Sequence, residues 1–459
     1  EKKELFRKRL AADELISNYF AIRYLKEKTK KKEDNLDLDF SSQNQLISNL
    51  PFKLTEKQKT IINEINSLNN SHYRETILLQ GDVGSGKTIV SLLTAIPFIL
   101  KGYQVAYMAP TEILASQIYE NIVNLIQLNK INPVLLTGST KNKDEIYQKI
   151  SNKEFDFIVG THAIFQENLI FNQLKYVIID EQHRFGVRQR LILGEKGINT
   201  NILLMSATPI PRTLALAQYG EIEQVVLNEK PAFQRPIITK VSNSKKIKDL
   251  IIYLKKSISD KNQIYWICPL VEESENHEYK DVESRFKSLQ KVFGSEVGLL
   301  HGKMKATDKE NIINEFKSGK IGILVATTVI EVGIDNKNAN TVVIENSEKF
   351  GLSQLHQLRG RVGRGNEQGY CFAIYGENIT DSSTERLKVF KNNLDGFKLA
   401  EKDLEIRGTG DVLGYRQSGD SLFRFVNTAQ DQELIIECFN YVKEVISSKK
   451  FEDKEFQQK

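Results

Sequence analysis

Residues 76–88, TILLQGDVGSGKT (Thr76 to Thr88), pass from a short apolar run into a glycine-spaced loop that ends on lysine and threonine. The run reads as a strand buried on both faces, and the apolar-rich stretch after it reads as a helix. Between two such elements the pattern GxxxxGKT has a mechanical meaning. Its glycines let backbone N–H groups converge on phosphate oxygens, the helix start adds partial positive charge, the lysine reaches the terminal phosphates and the threonine can ligate Mg²⁺. Gly81, Gly84, Ser85, Gly86, Lys87 and Thr88 are therefore the expected cradle for a nucleotide triphosphate such as ATP, with Thr88 an expected Mg²⁺ ligand.

Working outward, the runs VAYMAP, VLLTG, FDFIVG, YVIID and ILLMSAT alternate with amphipathic helical stretches, which predicts a parallel sheet with helices on both faces over residues 51–232. Two prolines in KPAFQRPIIT (230–239) mark a linker. A second series, QIYWICPL, VGLLHG, IGILVAT, TVVIEN and YCFAIYG, repeats the plan over residues 233–382. The fold class is thus α/β, with two doubly wound parallel-sheet domains in tandem. Residues 1–50 read as a helix, with Leu15, Tyr19, Ile22 and Leu25 spaced by three and four, that dissolves into a solvated linker. Residues 383–459 read as a helical region with a glycine-dense loop.

Composition sets outer limits. The 459 residues suffice for two to four domains, and no apolar run approaches the roughly 18–20 residues of a bilayer span, so a protein without a membrane partner is expected. Three dispersed cysteines and six scattered histidines form no disulfide framework or zinc cluster, and a reducing cytoplasm fits them. The net charge of +5 permits a polyanionic partner without requiring one.

The stretch VIIDEQH (177–183) now acquires its meaning. Alone, an acidic pair after an apolar run is only a strand surfacing into solvent. In a parallel sheet, however, the carboxyl ends of strands share one edge, so Asp180 should emerge near the phosphate loop. There Asp180 would hold Mg²⁺ through water, Glu181 would polarise the water that attacks the γ-phosphate, and Gln182 and His183 would report on that phosphate. The second half supplies cations in QLRGRVGR (357–364), which would stabilise charge on the γ-oxygens only when the two domains close.

The motifs QGDVGSGKT, APTEILASQ, VGTHAIFQ, DEQH, SATPIPR, VGLLHGKM, LVATTVIEVGID and QLHQLRGRVGRG cover residues 80–365 almost continuously, in the order found in superfamily 2 helicases and translocases. The chain resembles that superfamily and, through THAIFQE, DEQHRFGVRQR, SATPIPRTLAL and CPLVEESE, the RecG family of branched-DNA translocases within it. The resemblance implies RecA-like domains and residue-level roles. Phe52 and Gln58 would contact adenine, and Asp335 would lie near the ribose. Arg361 and Arg364 would be arginine fingers with Gln357 beside them, and Ser206 and Thr208 would link hydrolysis to domain movement. Thr111, Glu112, Thr161, His162 and Thr327 would grip nucleic-acid backbone. Residues 395–419 resemble a translocation element, in which Arg407, Arg416 and Gln417 would contact duplex phosphates.

The same resemblance implies branched or duplex DNA as partner, a single-strand-binding protein as a further candidate partner, and a monomer. Thr409 departs from the proline or alanine common in the family, which should loosen its loop modestly. RecG-like proteins carry an N-terminal oligonucleotide-fold wedge, and residues 1–30 resemble only the helical connection that follows it, so the resemblance implies ATP-driven translocation and leaves open whether this chain alone unwinds forks. Two other readings stand beside this one: a translocase of the transcription-repair coupling type, and a non-catalytic DNA-binding remnant. ATP turnover with and without branched DNA separates the remnant from the motor, and binding of RNA polymerase would favour the coupling type.

Overall fold

In the computed structural model the described residues are 2–29, 36–71, 74–126, 131–181, 200–207, 222–229, 235–269, 278–327, 336–363, 365, 367–377, 379–407, 423–427 and 430–447. Within them, each apolar run singled out above forms a strand. In the first lobe these are β1 (Thr76–Gly81), β2 (Gln104–Met108), β3 (Pro133–Leu136), β4 (Phe157–Gly160), β5 (Leu174–Ile179) and β6 (Asn201–Ser206), joined by an edge strand β7 (Glu223–Leu227). They lie parallel in the order β3-β4-β2-β5-β6-β1-β7. Successive residues face opposite sides: Leu79, Val105 and Tyr107 enter one core layer, and Leu78, Ala106 and Met108 the other. A sheet wholly covered in this way leaves only its strand ends open to a ligand.

The second lobe repeats the arrangement. β8 (Ile238–Asn243), β9 (Gln263–Ile267), β10 (Val297–Leu300), β11 (Ile323–Ala326), β12 (Ala339–Ile344) and β13 (Tyr370–Tyr375) are parallel in the order β10-β11-β9-β12-β13-β8. Tyr265 and Ile267 face one layer, and Ile264 and Trp266 the other.

Both ends of the chain depart from the expected division. In the first lobe, α1 (Lys2–Thr29) is followed by α2 (Ser41–Ser48), α3 (Glu56–Asn69), α4 (Lys87–Leu100), α5 (Glu112–Ile126) and α6 (Lys143–Ser151). The expected linker before residue 51 is core from Leu38 onward: Leu38 and Leu46 are buried and α2 packs on α4. Leu36, Phe40, Ile47 and Leu50 pack beside them, an apolar pattern that the polar residues between them diluted in the sequence.

In the second lobe come α7 (Ile247–Ser259), α8 (Glu278–Phe293), α9 (Ala306–Lys317), α10 (Leu352–Arg359), α11 (Asp381–Asn392), α12 (Gly396–Arg407) and α13 (Gln432–Ser447). The expected boundary at 382/383 falls inside α11, whose Leu387 and Phe390 join Leu399 of α12 in the second lobe's core. The expected boundary at 232/233 lies outside the described residues. Finally, α1 packs on α13, burying Leu15 and Tyr19 against Ile435, Cys438 and Val442, so the two ends of the chain form one small unit.

Candidate active site between the two lobes

β1 carries Gly81 to the carboxyl edge of the first sheet and α4 begins at Lys87, so the intervening loop sits between a buried strand and a helix start. Gly86 has φ +94°, where a side-chain-bearing residue is strained, and a Cβ there would collide with Gln58 Nε2 and push that side chain off the loop. Gln58 is buried. Its Nε2 donates to the Ser85 carbonyl at 2.8 Å, and its Oε1 accepts the Thr55 N–H at 2.9 Å in a capping box that starts α3. The Lys87 ammonium folds over the loop and donates to the carbonyls of Gly81 at 2.6 Å and Asp82 at 3.0 Å. The Ser85 Oγ is buried with no hydrogen-bond partner, a polar atom poised inside the loop where a phosphate oxygen would sit. Thr88 lies half-buried on the first turn of α4, and Phe52 is half exposed before α3.

Asp180 leaves the end of β5, and the strand between β5 and β1 is β6, which ends on buried Ser206. The residue expected to link hydrolysis to movement therefore sits on the strand that separates the acidic pair from the phosphate loop. Asp180 donates its N–H to Met108 O at 2.9 Å, its Oδ1 accepts the Glu181 N–H at 2.9 Å, and the Tyr107 hydroxyl reaches Oδ2 at 3.5 Å. Burial and the adjacent Glu181 charge push the Asp180 carboxyl up to about 7, against the pull of Lys87. Glu181 has φ +49°, a left-handed conformation uncommon for a side-chain-bearing residue and characteristic of functional turns.

This donor set fits Mg²⁺: hard oxygen ligands and a desolvated carboxyl whose charged form a divalent cation would favour.

The second lobe meets the loop through α10. Gln357 and Arg359 are buried and Arg361 is half-buried beyond the helix end. His356 Nε2 pairs with the Asp82 carboxylate of the phosphate loop. Beside this contact lies a cavity of about 390 Å³, bounded by Asp82, Gly84, Arg235, Arg359 and Phe397 among others. Arg364 and Asp335, expected here, lie outside the described residues, as do Gln182, His183 and Thr208.

Two family models match this two-lobed plan: the DEAD/DEAH box helicase over residues 55–217 and the helicase conserved C-terminal domain over residues 244–366. The chain is 45% identical over 439 residues, 95% of its length, to the ATP-dependent DNA helicase RecG of Borreliella burgdorferi. It is 42% identical over 94% and 95% of its length to the proteins of that name from Staphylococcus epidermidis and Synechocystis. The chain is similar to RecG along almost its whole length. A solved structure of RecG bound to a three-way DNA junction superposes with a TM-score of 0.75 at 37% identity, covering 94% of this chain and 57% of that one. The chain spans 53–64% of the length of these three curated relatives.

Thr111, Glu112, Thr161, His162 and Thr327, expected to grip nucleic-acid backbone, lie at the carboxyl edges of the two sheets. Thr111 caps α5, its Oγ1 accepting the Leu114 N–H at 3.3 Å. Glu112 accepts from Ser139 N and Oγ, each at 3.0 Å, so its carboxylate organises the turn after β3. Both carboxylate oxygens are thus engaged within the protein, and a carboxylate by itself repels phosphate. The turn itself, Thr137 to Lys143, carries two cations that the sequence reading passed over: Lys141, which is exposed, and Lys143, half-buried with its ammonium donating to the Gly138 carbonyl at 2.9 Å.

Thr161 is buried at the end of β4 and His162 exposed beside it, its ring 6.1 Å from that of Phe165. Thr327 is fully buried, and its Oγ1 has no hydrogen-bond partner. Arg407 ends α12, while Arg416, Gln417 and Thr409 lie outside the described residues. Sequence reasoning also missed Asp82, His356 and Arg359. The i,i+3 spacing of the last two on α10 was the available signal, because it sets both on one helix face.

Proposed function

We propose that this chain is the motor of an ATP-dependent DNA translocase acting on branched DNA, at stalled forks and Holliday junctions, in recombination and repair. The observation that carries the reading is the direct packing of the helix preceding Arg361 on the phosphate loop, in a chain similar to RecG along almost its whole length. ATP would lie in the cradle of Gly81, Gly84, Ser85, Gly86 and Lys87, with Phe52, Gln58 and Asp335 on the adenosine side. Mg²⁺, held by Thr88 and through water by Asp180, would neutralise charge on the terminal phosphates. Glu181, fixed by its left-handed turn, holds and polarises the attacking water. Arg361 and Arg364, with Gln357 behind them, stabilise charge on the γ-oxygens when the lobes close.

The first lobe, from Leu38 onward, and the second lobe, through α11, act as the two halves of this clamp, and residues 395–419, with Arg407, Arg416 and Gln417, act as the lever on duplex DNA. Thr111, Thr161, His162 and Thr327 hold the backbone, with Glu112 shaping the neighbouring turn. Branched DNA as partner is supported by the relative described as bound to a three-way junction. A monomer, a single-strand-binding protein as further partner and a cytoplasmic setting complete the reading. Among the described residues no helix is long and apolar enough to cross a membrane.

The test is displacement of a third strand from a triplex by the purified chain. ATP-dependent displacement supports movement along duplex, and ATP turnover without displacement contradicts it.

A further inference from the structure

We infer that Asp82 and His356 are a positioning pair that sets the register of the second lobe on the phosphate loop and so aims Arg361. Asp82 is a variable position of the GxxxxGKT pattern, and the phosphate cradle makes no demand on its side chain. Yet its carboxylate is buried, where an unpartnered charge is costly. Its Oδ1 accepts the Val83 N–H at 2.7 Å and faces His356 Nε2 from the other lobe.

The tautomer follows from the next bond. Arg359 Nη2 lies 2.8 Å from His356 Nδ1, and a guanidinium only donates. Nδ1 is therefore the acceptor, and the ring proton sits on Nε2, toward Asp82. Arg359 is itself fixed, donating to the Phe390 carbonyl at 2.9 Å with its guanidinium 4.5 Å from the Phe390 ring centroid.

Two further observations tie this chain of bonds to the finger. A Cβ on Gly360 would lie 2.6 Å from Val83 Cβ, so the backbone immediately before Arg361 rests on the residue after Asp82. The start of α12 closes the same spot, since Leu394, Asp395 and Phe397 border the cavity that Asp82 and His356 line. One buried contact thus joins the nucleotide loop, the helix that carries the finger, and, through Phe390, the helix pair leading to the proposed lever. Without it the lobes can still approach, but only the Gly360–Val83 packing and the start of α12 remain to set where along the loop α10 lands.

The inference rests on the ATP-hydrolysis reading above, and its test separates the two. ATP turnover with forked DNA is measured for wild type, Asp82→Asn, His356→Ala, His356→Gln and the Asp82→Asn/His356→Ala double variant. Misregistration of a reacting group costs on the order of 10- to 100-fold, so kcat should fall by that order in His356→Ala while KM for ATP moves less than about threefold. His356→Gln, whose amide N–H can occupy the Nε2 position, should recover to within about threefold of wild type. The double variant should be no worse than the poorer single one.

An active wild type with undiminished kcat in both Asp82→Asn and His356→Ala overturns the positioning role and leaves the functional reading standing. Additive losses, or losses confined to KM, also overturn it. A wild type that hydrolyses no ATP overturns the functional reading, and the positioning role with it.

Discussion

Gln58 braces Ser85: one carboxamide accepts the N–H that starts α3 and donates to the carbonyl at the centre of the phosphate loop. The helix before β1 and the loop after it therefore behave as one rigid piece, although 27 residues separate the bonded pair. Replacing Gln58 by alanine removes the cap bond and leaves a buried carbonyl unsatisfied, which costs about 1–3 kcal/mol. The expected result is a lower unfolding temperature together with a several-fold rise in KM for ATP. A melting curve and a steady-state titration check both, and a change in neither contradicts the bracing role.

The Asp180 carboxyl gives a prediction with a definite sign. Its ordinary value is 3.8, and burial with the adjacent Glu181 charge raises it to about 7 in the folded chain. The folded state then binds the proton more tightly than the unfolded state, so stability is greatest below the ordinary value and declines as pH rises through the interval up to about 7. Asp180→Asn carries no such proton. In chelator and without nucleotide, the variant should melt above wild type at pH 8, by about 2–4 °C for each kcal/mol released, and converge with it near pH 4. The same variant should hydrolyse no ATP. Equal melting at pH 8 would show that burial does not strain this carboxyl.

Glu112 yields a test of how the first lobe meets nucleic acid. If its carboxylate serves the turn from Thr137 to Lys143, Glu112→Ala loosens that turn rather than deleting a phosphate contact. The DNA concentration for half-maximal stimulation of ATP turnover should rise about three- to tenfold, with little change in the slope of affinity against salt, because no cation has been removed. Lys143→Ala should weaken binding and also flatten that slope. The reverse pattern would return Glu112 to a direct role.

Legibility in the sequence followed burial. Central strands, covered on both faces, are continuous apolar runs, and TILLQ, FDFIVG and YVIID are visible for that reason. The two strands that escaped notice, EQVVL and ITKVSN, are edge strands with half-exposed faces, where the apolar signal is diluted. The phosphate loop and the acidic pair were legible because their chemistry demands residue types at short spacing. Asp82 and His356 were not, because 274 positions separate them and neither is required by a local pattern. The bond of Glu112 to Ser139 was hidden for a related reason: Ser139 lies beyond the next strand, and only the folded sheet brings the two together.

The most direct test of the account is the rate of ATP hydrolysis by the purified chain with and without forked DNA, run beside a folded Lys87→Ala variant. The account predicts turnover by the wild type that rises on addition of the fork and falls to background in the variant. Turnover that the fork does not raise, or a Lys87→Ala chain as active as wild type, would contradict it.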